Sequence, residues 1–162
     1  VQLIATLIHE PQLIILDEPF SGLDPVNAEL LKEGILSLKK QGSCVIFSSH
    51  NMEHVEKICD HLVMLNNGKS VLNGVVHEIR ESFGRTKVFL ESPITRDEIA
   101  LLDGVTDVRE REDQTLEITL SNPEVGKEIF RLATADGYIP MFNQQPPTLE
   151  EIFKQKVGEA NV

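Results

Sequence analysis

The sequence predicts an α/β half followed by a smaller α+β half. In the first half apolar runs alternate with helical periodicity, and "QLIILD" and "CVIFSS" are apolar throughout. Strands of that kind imply a mostly parallel sheet with helices on both faces. From Lys87 onward the order becomes strand, helix, strand, strand, helix, strand. There "VTDVRERE" and "TLEITLS" alternate apolar with charged residues, as strands with one solvated face do. The pattern changes around "EIRESFGRT", which divides the chain into residues 1–85 and 86–162.

Taken in order, the opening "VQLIATLIHEP" puts Val1, Ile4 and Ile8 at one helical spacing and Leu3 and Leu7 at another. This helix, over about 1–9, is apolar nearly all round and has no Met at its start, as expected within a longer protein. The strand "QLIILD" is followed by a helix over 26–42 that Gly42 ends, and then by "CVIFSS". A helix "MEHVEKICD" precedes the hairpin "HLVMLNNGKSVLNG", whose turn signal is Asn67-Gly68. Beyond the change of pattern come strand "KVFLES", helix "TRDEIALLDG", the two alternating strands, helix "PEVGKEIFRLATADG", strand "YIPMFNQ" and helix "TLEEIFKQKV". Three of these helices start with capping-box spacing: Thr95 with Glu98, Ser121 with Glu124 and Thr148 with Glu151. The order βαββαβ is the split, ferredoxin-like arrangement.

Composition narrows the function. The formal charge is −11, both halves are acidic and neither has a basic stripe, so nucleic acid is not an expected partner. Tryptophan is absent and aromatics make up 5%, which removes the stacking platforms of single-strand binders. Cys44 and Cys59 lack metal-ligand spacing and read as free buried thiols of a cytosolic protein. No apolar run approaches the roughly 20 residues of a membrane span, and no signal peptide precedes the first helix.

The chemistry lies in "PQLIILDEPFSGLDP". Asp17 and Glu18 close a buried strand at its carboxyl end, where open α/β sheets bind ligands. One acid at such a place can hold a hydrated Mg²⁺ that bridges phosphate oxygens, while its neighbour orients or deprotonates a water. The next strand ends in "FSSH", and right-handed crossovers bring both strand ends to one edge, so His50 comes near the two acids. An imidazole there can hydrogen-bond a phosphate oxygen. His9, His54, His61 and His77 have no such setting and read as structural.

Residues 1–80 resemble the nucleotide-binding domain of ATP-binding cassette (ABC) transporters. The resemblance rests on an extended Walker B stretch "LIILDEP", a D-loop "SGLD" and a switch histidine in "SSH", in order and at the family's spacing. It implies a P-loop NTPase sheet, ATP as substrate and Mg²⁺ as cofactor. Asp17 would hold the Mg²⁺ through water and Glu18 would be the general base. Ser21, Gly22, Leu23 and Asp24 would form the loop that speaks across a dimer, and His50 would contact the γ-phosphate. The implied partners are a membrane permease, a second ATP-binding subunit and a small transport substrate carried by the permease. The implied place is the cytoplasmic face of the cell membrane.

The family's signature sequence, P-loop, adenine-stacking aromatic and glutamine loop are missing from these 162 residues. No G-x-x-x-x-G-K-[ST] occurs, so the truncated sheet would leave "CVIFSS" with an open edge. If a P-loop supplies about five contacts of roughly 1.5 kcal/mol each, its loss weakens ATP binding by about five orders of magnitude. The parent is therefore expected to be a transport ATPase and this stretch by itself inactive. Residues 86–157 resemble the accessory domain that follows the cassette in a bacterial exporter-type subgroup, on the βαββαβ pattern, their place after "VLNG" and the closing "PPTLEEIF". The alternative is that this domain acts as a protein-interaction or ligand-binding regulatory module.

Overall fold

Helix caps and apolar alternation settle most elements of the computed structural model, which describes residues 11–135 and 137–160. The helix expected at 1–9 lies outside the described residues. The chain divides into two compact units, residues 1–62 and 63–162, and the expected boundary at 85/86 falls inside the second.

The first unit contains β1 (Leu13–Asp17), α1 (Pro25–Lys40), β2 (Cys44–Ser48) and α2 (Met52–Ile58). Asp24 caps α1 by accepting the Val26 and Asn27 N–H groups, Pro25 suits the first turn, and Lys39 and Lys40 complement the helix dipole at the other end. Gly42, at φ 97°, supplies the left-handed residue that ends it. β1 and β2 pair in parallel from Leu13 opposite Cys44 to Asp17 opposite Ser48. Leu31 and Ile35 of α1, Ile58 of α2 and Phe20 form one buried cluster against Leu16, Val45 and Phe47.

The expectation of helices on both sheet faces fails among the described residues. Leu13, Ile15 and Ile46 project from the opposite face and are 53%, 71% and 53% exposed. The sequence reading of two buried thiols fails for the same reason: Cys44 occupies that open face and is exposed. Cys59 is half-buried, and burial, reinforced by the Asp60 charge, pushes its thiol up to about 11.

β3 (His61–Asn66) and β4 (Lys69–Val75) form the expected hairpin. Asn67 and Gly68 both have positive φ, 49° and 73°, as a tight two-residue hairpin turn demands. An additional helix, α3 (Val76–Ser82), occupies the stretch where the sequence pattern changes. No side chain caps its start. Arg80 instead ties it to a distant segment, donating to the carbonyls of Pro147 and Pro146 at 3.0 and 3.2 Å.

The remaining elements are β5 (Lys87–Glu91), α4 (Arg96–Ala100), β6 (Val105–Glu110), β7 (Leu116–Leu120), α5 (Val125–Ala133), β8 (Met141–Gln145) and α6 (Leu149–Ala160). The sheet order is β6-β7-β5-β8 with all neighbours antiparallel. β7 inserted between β5 and β6 is what splits the βαβ unit, so the ferredoxin-like expectation holds. Val88, Leu90, Ile118, Ile99 and Ile129 are fully buried in a core shared by sheet, α4 and α5.

Two of the three capping boxes form. Thr95 and Glu98 exchange bonds at the start of α4, and Thr148 and Glu151 do so before α6. Ser121 and Glu124 do not: the helix starts only at Val125, because the Asn122 side chain captures the Glu124 N–H at 3.0 Å in a local turn. Ser121 instead donates its own N–H to the Gly104 carbonyl at 2.8 Å. That bond draws Gly104 close to α5, where an added Cβ would lie 2.5 Å from Val125 Cγ2.

Lys87 links β5, β7 and α6. Its Nζ lies 2.5 Å from Glu151 Oε1, 3.2 Å from Glu117 Oε1 and 3.0 Å from Thr119 Oγ1, with the side chain only 12% exposed. Glu117 also accepts Arg111 at 2.8 Å, and that guanidinium sits 4.5 Å from the Phe89 ring centre. Burial pushes the Glu117 and Glu151 carboxyls up, yet bonds from Arg111 and Lys87 to Glu117, and from Lys87 and Thr148 to Glu151, hold both below the usual value of 4.5.

Two outcomes are expected. Gly104 has φ 85° and no room for a Cβ, whereas Gly34 within α1 meets nothing within 4 Å. Gly104→Ala therefore costs about 2–3 kcal/mol in urea denaturation, while Gly34→Ala stabilises by up to about 1 kcal/mol. Because Glu117 and Glu151 are depressed in the folded state, their stabilisation is complete above 4.5 and disappears as pH falls through their folded values. The urea midpoint of the wild type should fall over that acid range, and Lys87→Met should flatten the fall. Parallel pH curves for the two proteins would remove Lys87 from this role.

Candidate functional site

β1 ends in a turn that needs unusual backbone. Glu18 has φ 43°, uncommon for any residue but glycine, and Pro19 follows it. Ser21 donates its N–H to the Glu18 carbonyl at 3.0 Å and Leu23 to the Phe20 carbonyl at 3.3 Å, with Gly22 supplying the positive φ of 74°. Phe20 anchors this double turn in the core. It is 8% exposed, meets Phe47 edge-on at 5.9 Å and lies tilted against His54 at 4.2 Å.

Opposite this turn β2 ends in Ser48 and runs through Ser49 and His50 into α2. Asn51 caps that helix, accepting the Glu53 and His54 N–H groups at 3.0 and 3.2 Å. Ser49 Oγ accepts the Asn51 N–H at 3.1 Å, so the short link is fixed at both ends.

The two strand ends meet through side chains. Ser48 donates its hydroxyl proton to Asp17 Oδ1 and accepts the Glu18 N–H at 3.1 Å. Glu18 Oε1 accepts the His50 backbone N–H at 3.0 Å and lies 2.9 Å from His50 Nδ1. A carboxylate, when ionised, can only accept, and in that state the proton of the contact sits on Nδ1. The His50 side chain is 83% exposed and that of Glu18 38%.

The structure thus brings Asp17, Glu18 and His50 together, and places Ser21, Gly22 and Leu23 in the adjoining turn. Asp24 is engaged elsewhere. Its Oδ1 caps α1 and its Oδ2 accepts Asn27 Nδ2 at 2.5 Å, bonds that hold its carboxyl below the ordinary range. Ser48 escaped the sequence reading although "FSSH" carried the signal: equal strand lengths put the first serine opposite Asp17. His61 and His77 are on the surface, and His54 keeps its Nδ1 buried without a partner.

The chemistry available is that of an exposed acid, Asp17, and a partly exposed one, Glu18, with an imidazole held beside the second. Both His50 contacts fall on Glu18 Oε1, which leaves Oε2 to accept a proton from water. No group of three metal-ligating side chains occurs among the described residues. One carboxylate beside a hydroxyl suits Mg²⁺, which keeps most of its waters and takes one or two protein oxygens.

Comparison with known proteins gives the setting. The family described as "ATP-binding protein DrrA1-3-like, C-terminal domain" matches residues 74–157. An uncharacterized ABC transporter ATP-binding protein of Alkalihalophilus pseudofirmus is 43% identical over 99% of this chain and 60% of its own length. The similarly named YhaQ of Bacillus subtilis is 43% identical over 98% of this chain and 53% of its own. The Nod factor export ATP-binding protein I of Rhizobium etli is 33% identical over 94% of this chain and 47% of its own. The chain spans between about half and three-fifths of the length of these curated relatives. No helix among the described residues is long and apolar enough to cross a membrane.

Proposed function

This chain belongs to the ATP-binding proteins with a DrrA1-3-like C-terminal domain, and from that premise we propose that it supplies the water-activating part of an ABC transporter's ATP site. The observation that carries the reading is the Glu18–His50 contact at 2.9 Å beside Asp17. Glu18 orients the attacking water and takes its proton on Oε2. Its Oε1 is meanwhile held by two His50 hydrogens, which fix the carboxylate's direction. With Nδ1 protonated, His50 turns its outer nitrogen to a terminal phosphate oxygen and, as imidazolium, donates to it. Asp17 would hold Mg²⁺ through water, and the ion when bound neutralises phosphate charge.

Residues 21–24 lie on the surface turn next to these groups, where a second ATP-binding subunit could read them. The whole protein would then act as a pair at the inner face of the cell membrane, coupled to a separate permease. Export is supported by the Rhizobium relative, named for Nod factor export. The unit that matches the family would be the accessory domain of that subunit.

The test compares this chain with a chimera in which it replaces the matching segment of the Alkalihalophilus pseudofirmus relative. Mg-ATP calorimetry should give no heat with the 162-residue chain and micromolar binding with the chimera. In the chimera Glu18→Gln should abolish turnover while nucleotide still binds. Undiminished hydrolysis by that variant would remove Glu18 from the role of base, and tight binding by the short chain would place its phosphate site elsewhere.

A further inference from the structure

The carboxylates of this site depend on a side chain that has no part in the proposed proton transfer. Asp17 and Ser48 are the last register pair of β1 and β2, so their side chains leave the sheet on the same face. Beyond that pair the parallel ladder stops and Glu18 turns to φ 43°. A non-glycine residue in this left-handed region is strained, so something must hold it there. The Ser48 hydroxyl is placed to do so, since its oxygen accepts the Glu18 N–H at 3.1 Å while its proton goes to Asp17 Oδ1.

We infer that Ser48 is a positioning residue: one hydroxyl clamps the Asp17 carboxylate to the Glu18 backbone and so aims the Glu18 carboxylate at His50. Only a group that donates and accepts at a single atom fits between a carboxylate and an N–H. Serine and threonine have one; alanine and valine do not. Without the clamp Glu18 relaxes toward extended backbone, and its side chain moves off both His50 hydrogens. The geometry stands on the structure alone, whereas its consequence for turnover rests on the function proposed above.

The test uses threonine and valine at position 48, which share a shape and differ in the hydroxyl. In the 162-residue chain, nitrogen-15 spectra of Ser48→Thr should keep the Glu18 and His50 amide protons at wild-type positions. Ser48→Val should move both upfield, as amides that have lost an acceptor do, while Ile14 and Val45 remain in place. Were valine to unfold the sheet, the Ile14 and Val45 amides would report it, and Ser48→Ala, smaller and equally without a hydroxyl, would replace it. Glu18 and His50 amides unmoved in a folded Val or Ala variant, or displaced equally in Thr, would overturn the inference. In the chimera, Ser48→Val should lower kcat about tenfold to a hundredfold with KM for Mg-ATP little changed, and Ser48→Thr should restore it. A chimera that never hydrolyses ATP refutes the proposed function and leaves the spectroscopic result standing.

Discussion

The parallel pairing of β1 with β2, in the one register that sets Asp17 opposite Ser48, is the constraint on which the site rests. That register is chosen by burial. Leu16, Val45 and Phe47 share the face covered by Leu31 and Ile35 of α1, and a slip of one residue would turn β2's members of this set away from the helix. The apolar cluster therefore sets the polar contacts: it brings a hydroxyl to a carboxylate at the strand ends and leaves the next peptide, that of Glu18, to be held by the same oxygen. Phe20 carries the constraint around the turn, since its ring is buried in the same cluster only three residues after Asp17.

In the second unit polar groups do the opposite work. Lys87 is nearly buried and surrounded by Glu117, Glu151 and Thr119, a full complement for its three hydrogens. Replacing one partner would leave a charge in a site built for a pair, which costs more than the pair itself contributes. The arrangement joins β5, β7 and α6 and offers no outward-facing acid beside an imidazole. The two units thus use charged side chains differently: one knots them inward as structure, the other leaves them at a strand end, open to solvent.

Topology made the first site legible. Two apolar strands of equal length, joined by a helix, bring their ends to one edge, so Asp17, Glu18 and His50 could be placed together from spacing alone. The hairpin at Asn67-Gly68 and the boxes at Thr95 and Thr148 were equally readable, because each depends on residues a few positions apart. What failed needed distant information. Ser121 has the correct spacing for a cap, but Asn122 is a nearer acceptor and the Ser121 backbone is engaged with Gly104. α3 has no side-chain cap to announce it and is tied by Arg80 to carbonyls at Pro146 and Pro147, far along the chain. Helix cover on both sheet faces was inferred from apolar content, which reports what a strand can bury rather than what the described residues place over it. Leu13, Ile15 and Cys44 show the difference.

If the site activates water as proposed, electrostatics explains why it would not by itself collect nucleotide. Asp17 and Glu18 are adjacent in sequence and both ends of the Ser48 bridge, while no lysine or arginine among the described residues pairs with either carboxylate. A triphosphate approaching two carboxylates is repelled, by about 1 kcal/mol per charge pair at 4 Å in water and by more where water is excluded. The phosphate therefore has to be gripped and neutralised by groups other than these. The contribution proposed for this chain is narrower: a carboxylate at a strand end, an imidazole that holds it in one direction, and a serine that fixes the turn from which it reaches.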